Sequence, residues 1–196
     1  MNAVAWSPNG TYIASGSVDS TVQVWDALSG RRLLTYRGND SSVSQVGWSP
    51  NGRLIVSANG NGTVLVWQAI SGKDVFSYSG HSGAVITARW SPNGTRIASG
   101  GMDRTVQVWD AITGGHVLIY NGHTDTVIDV AWSPGGKHIA SSSADKTVQA
   151  WDASTGKLVF TYIGHTAAVT QFAWSPDGKL LASGSGDATV QVCRAG

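Results

Sequence analysis

Tryptophan recurs in this chain at a fixed interval. Trp6, Trp48, Trp90, Trp132 and Trp174 lie 42 residues apart, and each opens the pentapeptide Trp-Ser-Pro-x-Gly. All five prolines, Pro8, Pro50, Pro92, Pro134 and Pro176, belong to that series. A second 42-residue series holds Trp25, Trp67, Trp109 and Trp151, and its fifth member is Cys193. A period of this length excludes one irregular core. Each repeat is a small unit that buries its apolar face only against its neighbours, so stability comes from stacking.

Within a period, apolar residues alternate with small or polar ones over short runs, as in Val127-Ile-Asp-Val-Ala-Trp132 and Thr105-Val-Gln-Val-Trp109. Turn residues interrupt these runs about every ten positions, which predicts four strands per repeat. The first turn carries Pro outside the ladder and a glycine, Gly10, Gly52, Gly94, Gly136 or Gly178, suited to positive φ. The second centres on Asp19, Asn61, Asp103, Asp145 or Asp187. The third ends at Gly30, Gly72, Gly114 or Gly156. The fourth is Gly-His at His81, His123 and His165, with Gly38-Asn39 as the variant.

Composition agrees with short strands and tight turns. Of 196 residues, 25 are Gly and 9 are Trp, while only 13% are charged. Thirteen Lys and Arg against twelve acids, all Asp, leave a net charge of +1, which argues against a strongly basic nucleic-acid binder. The single Cys193 forms no internal disulfide, no apolar run reaches the roughly 18 residues of a bilayer span, and Met1 does not lead into a secretion signal. The expectation is a soluble, cytoplasmic protein with no nucleic acid and no membrane among its partners.

The chain resembles the WD-repeat β-propeller family, whose repeats run about 40–45 residues with Gly-His near one end and Trp-Asp near the other. Trp-Asp is literal at Trp25-Asp26, Trp109-Asp110 and Trp151-Asp152, and is replaced by Trp67-Gln68 and Cys193-Arg194. The resemblance covers essentially the whole chain. It implies an all-β propeller of four-stranded antiparallel blades, approximately 1-37, 43-79, 85-121, 127-163 and 169-194, the fifth without its outer strand. The single domain or propeller segment then spans 1-196.

In that family a buried hydrogen-bond network ties each blade together. It joins the His before the innermost strand, a Ser or Thr on the second, the Asp of the next turn and the Trp of the third. The resemblance assigns His81, Ser99, Asp103 and Trp109 to the third blade, and His123, Ser141, Asp145 and Trp151 to the fourth. The fifth has His165, Ser183 and Asp187 but Cys193; the second has Asn39, Ser57, Asn61 and Trp67; the first has Ser15, Asp19 and Trp25. Ser, His and Asp together invite a hydrolase reading. Their recurrence in several blades and the lack of a Gly-x-Ser-x-Gly elbow favour a structural role, so no catalytic residue, cofactor or metal site is expected. His116 and His138 read as surface residues, Cys193 as a small core residue, and Asn9, Asn61 and Asn93 as turn formers.

The turns sort onto two rims. The one built by the first and third turns holds eight cations against five aspartates; the other holds three cations against six. Partners of the resembled family usually dock on the rim of the second and fourth turns. Here that implies Val18, Asp40, Gly60, Ser82, Met102, Thr124, Ala144, Thr166 and Gly186 as the surface read by a protein partner. On innermost strands, Arg89 and Asp129 break their columns on the same side of the pleat, which predicts an ion pair across blades three and four or two separate channel-lining residues. Five blades leave an apolar face at each end, favouring self-association through those faces or completion by further blades. A five-blade ring is the strained alternative. The expected function is a non-enzymatic protein-interaction scaffold. The alternatives are a self-assembling structural segment and a channel-based ligand-binding or hydrolytic propeller.

Overall fold

The computed structural model describes residues 1–195, nineteen strands in five antiparallel sheets. The first sheet is β1 (Ala3–Trp6), β2 (Tyr12–Gly16), β3 (Val22–Asp26) and β4 (Arg32–Tyr36). The second is β5 (Val43–Trp48), β6 (Leu54–Asn59), β7 (Val64–Gln68) and β8 (Asp74–Tyr78). The third is β9 (Val85–Trp90), β10 (Arg96–Gly101), β11 (Val106–Asp110) and β12 (Leu118–Tyr120). The fourth is β13 (Val127–Trp132), β14 (His138–Ser143), β15 (Thr147–Asp152) and β16 (Leu158–Ile163). The fifth has three strands, β17 (Val169–Trp174), β18 (Leu180–Ser185) and β19 (Val190–Arg194). Each sheet runs as a simple meander, so strand order in space is strand order in sequence.

Turn chemistry sets these boundaries. The glycine of every first turn adopts positive φ, from Gly10 at 70° to Gly178 at 71°, where a side chain would be strained. The second turn holds its own left-handed residue, and in four of five blades it is not glycine: Ser20, Arg104, Lys146 and Ala188, against Gly62 in the second. The Asp or Asn before it stabilises that conformation by accepting bonds from the following Thr, as Asp103 Oδ1 does from Thr105 N at 3.1 Å.

Blades pack face to face. Ala14, Val22 and Val24 of the first sheet meet Val43, Val46, Trp48, Ile55 and Trp67 of the second, and homologous residues form the next three joints. Every joint also carries an indole bond from the innermost strand to the preceding blade. Trp48 donates to Ala5 O at 3.1 Å, Trp90 to Gly47 O at 3.3 Å, Trp132 to Arg89 O at 3.2 Å and Trp174 to Ala131 O at 3.2 Å. Farther out, the Tyr of each of the first three outer strands stacks on the third-strand Trp of the next blade. Tyr36 lies over Trp67, Tyr78 over Trp109 and Tyr120 over Trp151, with ring centroids 4.1, 4.5 and 4.9 Å apart. Burial of several large apolar side chains at about 1.5–3 kcal/mol each holds every joint.

The innermost strands pack in succession β1, β5, β9, β13, β17, while Val4 and Trp6 on the first blade and Val190 and Val192 on the fifth are all more than 60% exposed. The molecule is therefore an open arc of propeller blades and not a closed five-blade ring.

Candidate functional site

The third blade builds its network as the resemblance implies. His81 Nδ1 lies 2.9 Å from Asp103 Oδ2, its Nε2 lies 2.9 Å from Ser99 Oγ, and Trp109 Nε1 donates to Ser99 Oγ at 3.3 Å. In the fourth blade His123 sits 2.8 Å from both Asp145 and Ser141. Trp151 departs from expectation: it is fully buried, yet its indole N–H has no hydrogen-bond partner. The Ser141 hydroxyl meets its imidazole just as Ser99 does, yet the Trp151 indole has no acceptor within hydrogen-bond distance. In the fifth blade His165 joins Asp187 and Ser183 at 2.9 Å each.

The second blade builds an uncharged, partial version of the cluster. Asn39 accepts from Ser57 Oγ at 2.9 Å and Trp67 donates to the same Ser57 Oγ at 3.3 Å, but Asn61 turns back onto Thr63 and the Asn39 amide nitrogen is unpaired. An amide at position 39 lacks the reach and double-ended geometry by which an imidazole spans hydroxyl and carboxylate.

Sequence reasoning missed the rest of the network. Asp103 Oδ1 accepts from Thr105 Oγ1 at 2.9 Å; Gln107 Nε2 donates to Thr105 Oγ1 at 3.0 Å and to Gly80 O at 3.3 Å; Tyr78 OH donates to Gln107 Oε1 at 2.6 Å. The fourth and fifth blades repeat this with Thr147, Gln149 and Tyr120, then Thr189, Gln191 and Tyr162. The signal was the 42-residue recurrence of Thr and Gln on an otherwise apolar strand. Gly80 is fixed by the same cluster, since a Cβ there would lie 2.4 Å from the Tyr78 hydroxyl and 2.6 Å from Gln107 Oε1.

Electrostatics follow from burial. Desolvation holds the His81 and His123 imidazoles below their ordinary value, outweighing the pull of Asp103 and Asp145. Burial works against ionising Asp103 and Asp145, but the imidazoles and the Thr105 and Thr147 donors more than offset it, leaving both carboxyls below their usual range. Each pair is a neutral imidazole facing a carboxylate. Ser99 and Ser141 are 0% exposed and Ser183 4%, so no substrate reaches these hydroxyls.

The network's second task is to hold a surface. Asp103 Oδ2 accepts from Ser82 N at 3.1 Å, Asp145 from Thr124 N at 3.0 Å and Asp187 from Thr166 N at 2.9 Å. Each carboxylate thus pins the loop entering its blade to the blade's own second turn. The nine rim residues surround these pins. Val18, Asp40, Gly60, Ser82, Met102, Thr124, Thr166 and Gly186 are exposed, while Ala144 is half-buried.

On the inner wall, Arg89 Nη2 lies 3.3 Å from Asp129 Oδ1, so the two column-breaking residues pair across blades three and four. Thr87 donates to the same oxygen at 3.1 Å, Val130 N does so at 3.0 Å, and the Gln45 carbonyl faces the guanidinium once its amide is turned oxygen-inward. Burial nevertheless keeps the Asp129 carboxyl above its ordinary value. Two hollows of similar size lie on the opposite rim: one of about 570 Å³ is lined by Thr95, Arg96, Asp110, His116 and Leu118, and one of about 540 Å³ lies between Arg53, Leu54, Gln68 and Ile70, with Arg53 as its sole charged lining residue. Among the described residues no three metal-ligating side chains cluster, and no helix is long and apolar enough to cross a membrane.

Radially stacked antiparallel meanders, with a complete His, Ser, Asp and Trp cluster in the third and variants of it in the others, define a Trp-Asp-type propeller arc. The family model described as WD domain, G-beta repeat matches five times, at residues 1–26, 30–68, 72–110, 114–152 and 156–193, and the chain belongs to that family. From the second match on, each begins just before or in the turn ahead of the outer strand of one blade and ends on the third strand of the next. Protein tipD of Dictyostelium discoideum is 48% identical over 40 residues, which is 19% of this chain and 6% of that protein. The chain thus spans a small fraction of that relative's length.

Proposed function

We propose that this chain is a non-enzymatic scaffold that docks a protein partner on the rim of second and fourth turns. The carrying observation is that three carboxylates, Asp103, Asp145 and Asp187, clamp the loops displaying Ser82, Thr124 and Thr166, so the surface is ordered before any partner arrives. WD repeats generally serve protein–protein interaction, and the burial of every network Ser supports a structural reading of the Ser, His and Asp sets. On the inner wall Arg89, Thr87 and Asp129 bind one another. We place the protein in the cytoplasm, with no nucleic acid or membrane as partner.

A photo-crosslinking residue introduced at Met102, compared with one at Ile112 on the opposite rim, tests this. Both sites are exposed, at 57% and 52%. The expected result is a discrete set of adducts from Met102 that the added change Thr124→Arg removes. Equal adducts from both rims, or none from Met102, would end the reading.

A second reading, a structural propeller segment completed by a second copy or by further blades, is favoured by the exposed apolar residues Val4, Trp6, Val190 and Val192 on the first and fifth blades.

A further inference from the structure

The chain contains six Asn-Gly pairs, beginning at Asn9, Asn51, Asn59, Asn61, Asn93 and Asn121. A glycine after asparagine leaves the backbone nitrogen unshielded by a side chain, so that it can reach the amide carbon and expel ammonia. The fold restrains the six unequally. In the first turns Gly10, Gly52 and Gly94 N donate to Ser7, Ser49 and Ser91 O at 2.9, 2.8 and 2.9 Å, and the hydroxyls of the same serines donate to the asparagine oxygens. Asn59 is 0% exposed, and Gly60 N is bonded to Ser42 O at 2.9 Å. Asn61 is exposed, and Gly62 N makes only a longer bond, 3.2 Å to Asn59 O. Asn121 is exposed as well.

Asn61 is set apart by what stands opposite it. In the third blade Asp103 Oδ1 accepts from Thr105, which leaves Oδ2 for His81 Nδ1 and Ser82 N. Asn61 keeps the first half of this pattern, since its Oδ1 accepts from Thr63 N at 3.2 Å and from Thr63 Oγ1 at 2.7 Å. The other branch of its side chain is therefore an NH2 where the later blades carry an oxygen. Asn39, in the place of the imidazole, turns a second NH2 the same way. Ser57 receives the Trp67 N–H and gives its own proton to Asn39 Oδ1, so the Asn39 amide nitrogen points away from Ser57; it is buried in a residue 5% exposed and has no partner. Donor thus faces donor, and the loop nitrogen of Asp40, the counterpart of Ser82 N, is offered no carboxylate.

We propose that Asn61-Gly62 is a site of spontaneous deamidation, and that the aspartate it yields completes the clamp of blade two. Gly62 N gives its proton to solvent hydroxide and bonds to Asn61 Cγ; the Cγ–Nδ2 bond breaks, and Nδ2 leaves as ammonia with a proton from water. Water then opens the five-membered succinimide. Attack at Cγ restores the backbone and leaves a side-chain carboxylate, whereas attack at the main-chain carbonyl gives isoaspartate, whose backbone is one carbon longer. The net exchange is one water taken up and one ammonia released. The new carboxylate oxygen accepts from Asn39 Nδ2 and from Asp40 N, pinning the loop that displays Asp40 on the rim as the loops of blades three to five are pinned. Asp40 contributes a like charge, which is exposed to solvent and screened there.

Incubation at mildly alkaline pH in heavy-oxygen water, followed by peptide mapping, reads conversion at each pair. The expected result is conversion at Asn61 well ahead of Asn9, Asn51, Asn59 and Asn93, with heavy oxygen built into an aspartate that an aspartate-specific protease cleaves. Conversion no faster than at Asn51 and Asn93, or to isoaspartate alone, overturns the site. The variant Asn61→Asp reads the clamp, and it places at this turn the residue type that four other blades already carry there. Hydrogen exchange at the Asp40 amide is expected to slow about tenfold, the factor that matches one hydrogen bond gained. Asn121→Asp, which adds the same charge outside the clamp, leaves that exchange as it was. Unchanged exchange at Asp40 in Asn61→Asp, or the same slowing in Asn121→Asp, overturns the completed clamp.

Discussion

At the scale of single residues, the most informative contrast is between two tryptophans with nearly the same surroundings. Trp109 gives its N–H to Ser99, whereas the equally buried Trp151 gives its own to nothing. Replacing either with Phe removes the same volume, so the difference between the two variants isolates one buried hydrogen bond. Trp109→Phe is expected to be less stable than Trp151→Phe by about 1 kcal/mol in urea unfolding, since the first change also strips a donor from Ser99. Equal losses would contradict this. The His, Ser and Asp positions were legible in the sequence because such residues are conspicuous when they recur. Thr105 and Gln107 recur as strictly, but Thr and Gln on a strand read as ordinary solvent-facing residues. The orphaned Trp151 was not legible, since its His, Ser and Asp neighbours are of the same types as those around Trp109.

At the scale of strands and turns, pattern and structure agree because each turn carries its own stop signal. The exception is instructive. β12 starts at Leu118, two residues later than the corresponding β8, because Gly114-Gly115 replaces a Gly-Lys or Gly-Arg pair and His116 takes φ 53°. The left-handed column at Ser20, Arg104, Lys146 and Ala188 was not legible, since residue types that usually avoid that region occupy it. The weakest element is β19. Its Cys193 stands where Trp67, Trp109 and Trp151 each receive a tyrosine, leaving Tyr162 without a stacking partner there. Cys193→Trp is expected to raise the stability of the fifth blade by about 1 kcal/mol through restored ring stacking. Hydrogen exchange at the Val190, Gln191 and Val192 amides measures it, and unchanged or faster exchange would show that the site rejects an indole. Its half-buried thiol, pushed up by burial, suits a small packing role.

At the scale of the whole molecule, the repeated networks give the arc a shared response to acid. Burial holds His81 and His123 below the ordinary 6.5, so below that pH the unfolded chain binds more protons than the folded one. Stability is therefore complete above about pH 6.5 and falls as pH drops, with Asp103 and Asp145 adding to the loss nearer pH 4. Asp129, whose carboxyl is raised, works in the opposite direction just above 3.8 without reversing the trend. The urea midpoint should fall between about pH 7 and pH 5, and the double change His81→Gln with His123→Gln should flatten that fall; a midpoint that rises on acidification would refute the assignment. The radial stacking itself was legible from the 42-residue period. The open arc was expected as well, with a five-blade ring as the strained alternative, and the exposure of Val4, Trp6, Val190 and Val192 agrees with it. One last consequence comes from the staggered matches, which each run from the outer strand of one blade into the body of the next. Lengthening such a gene by one period adds an outer strand to the blade behind and three strands ahead, so the molecule grows without redesign and has no internal means of counting its own blades.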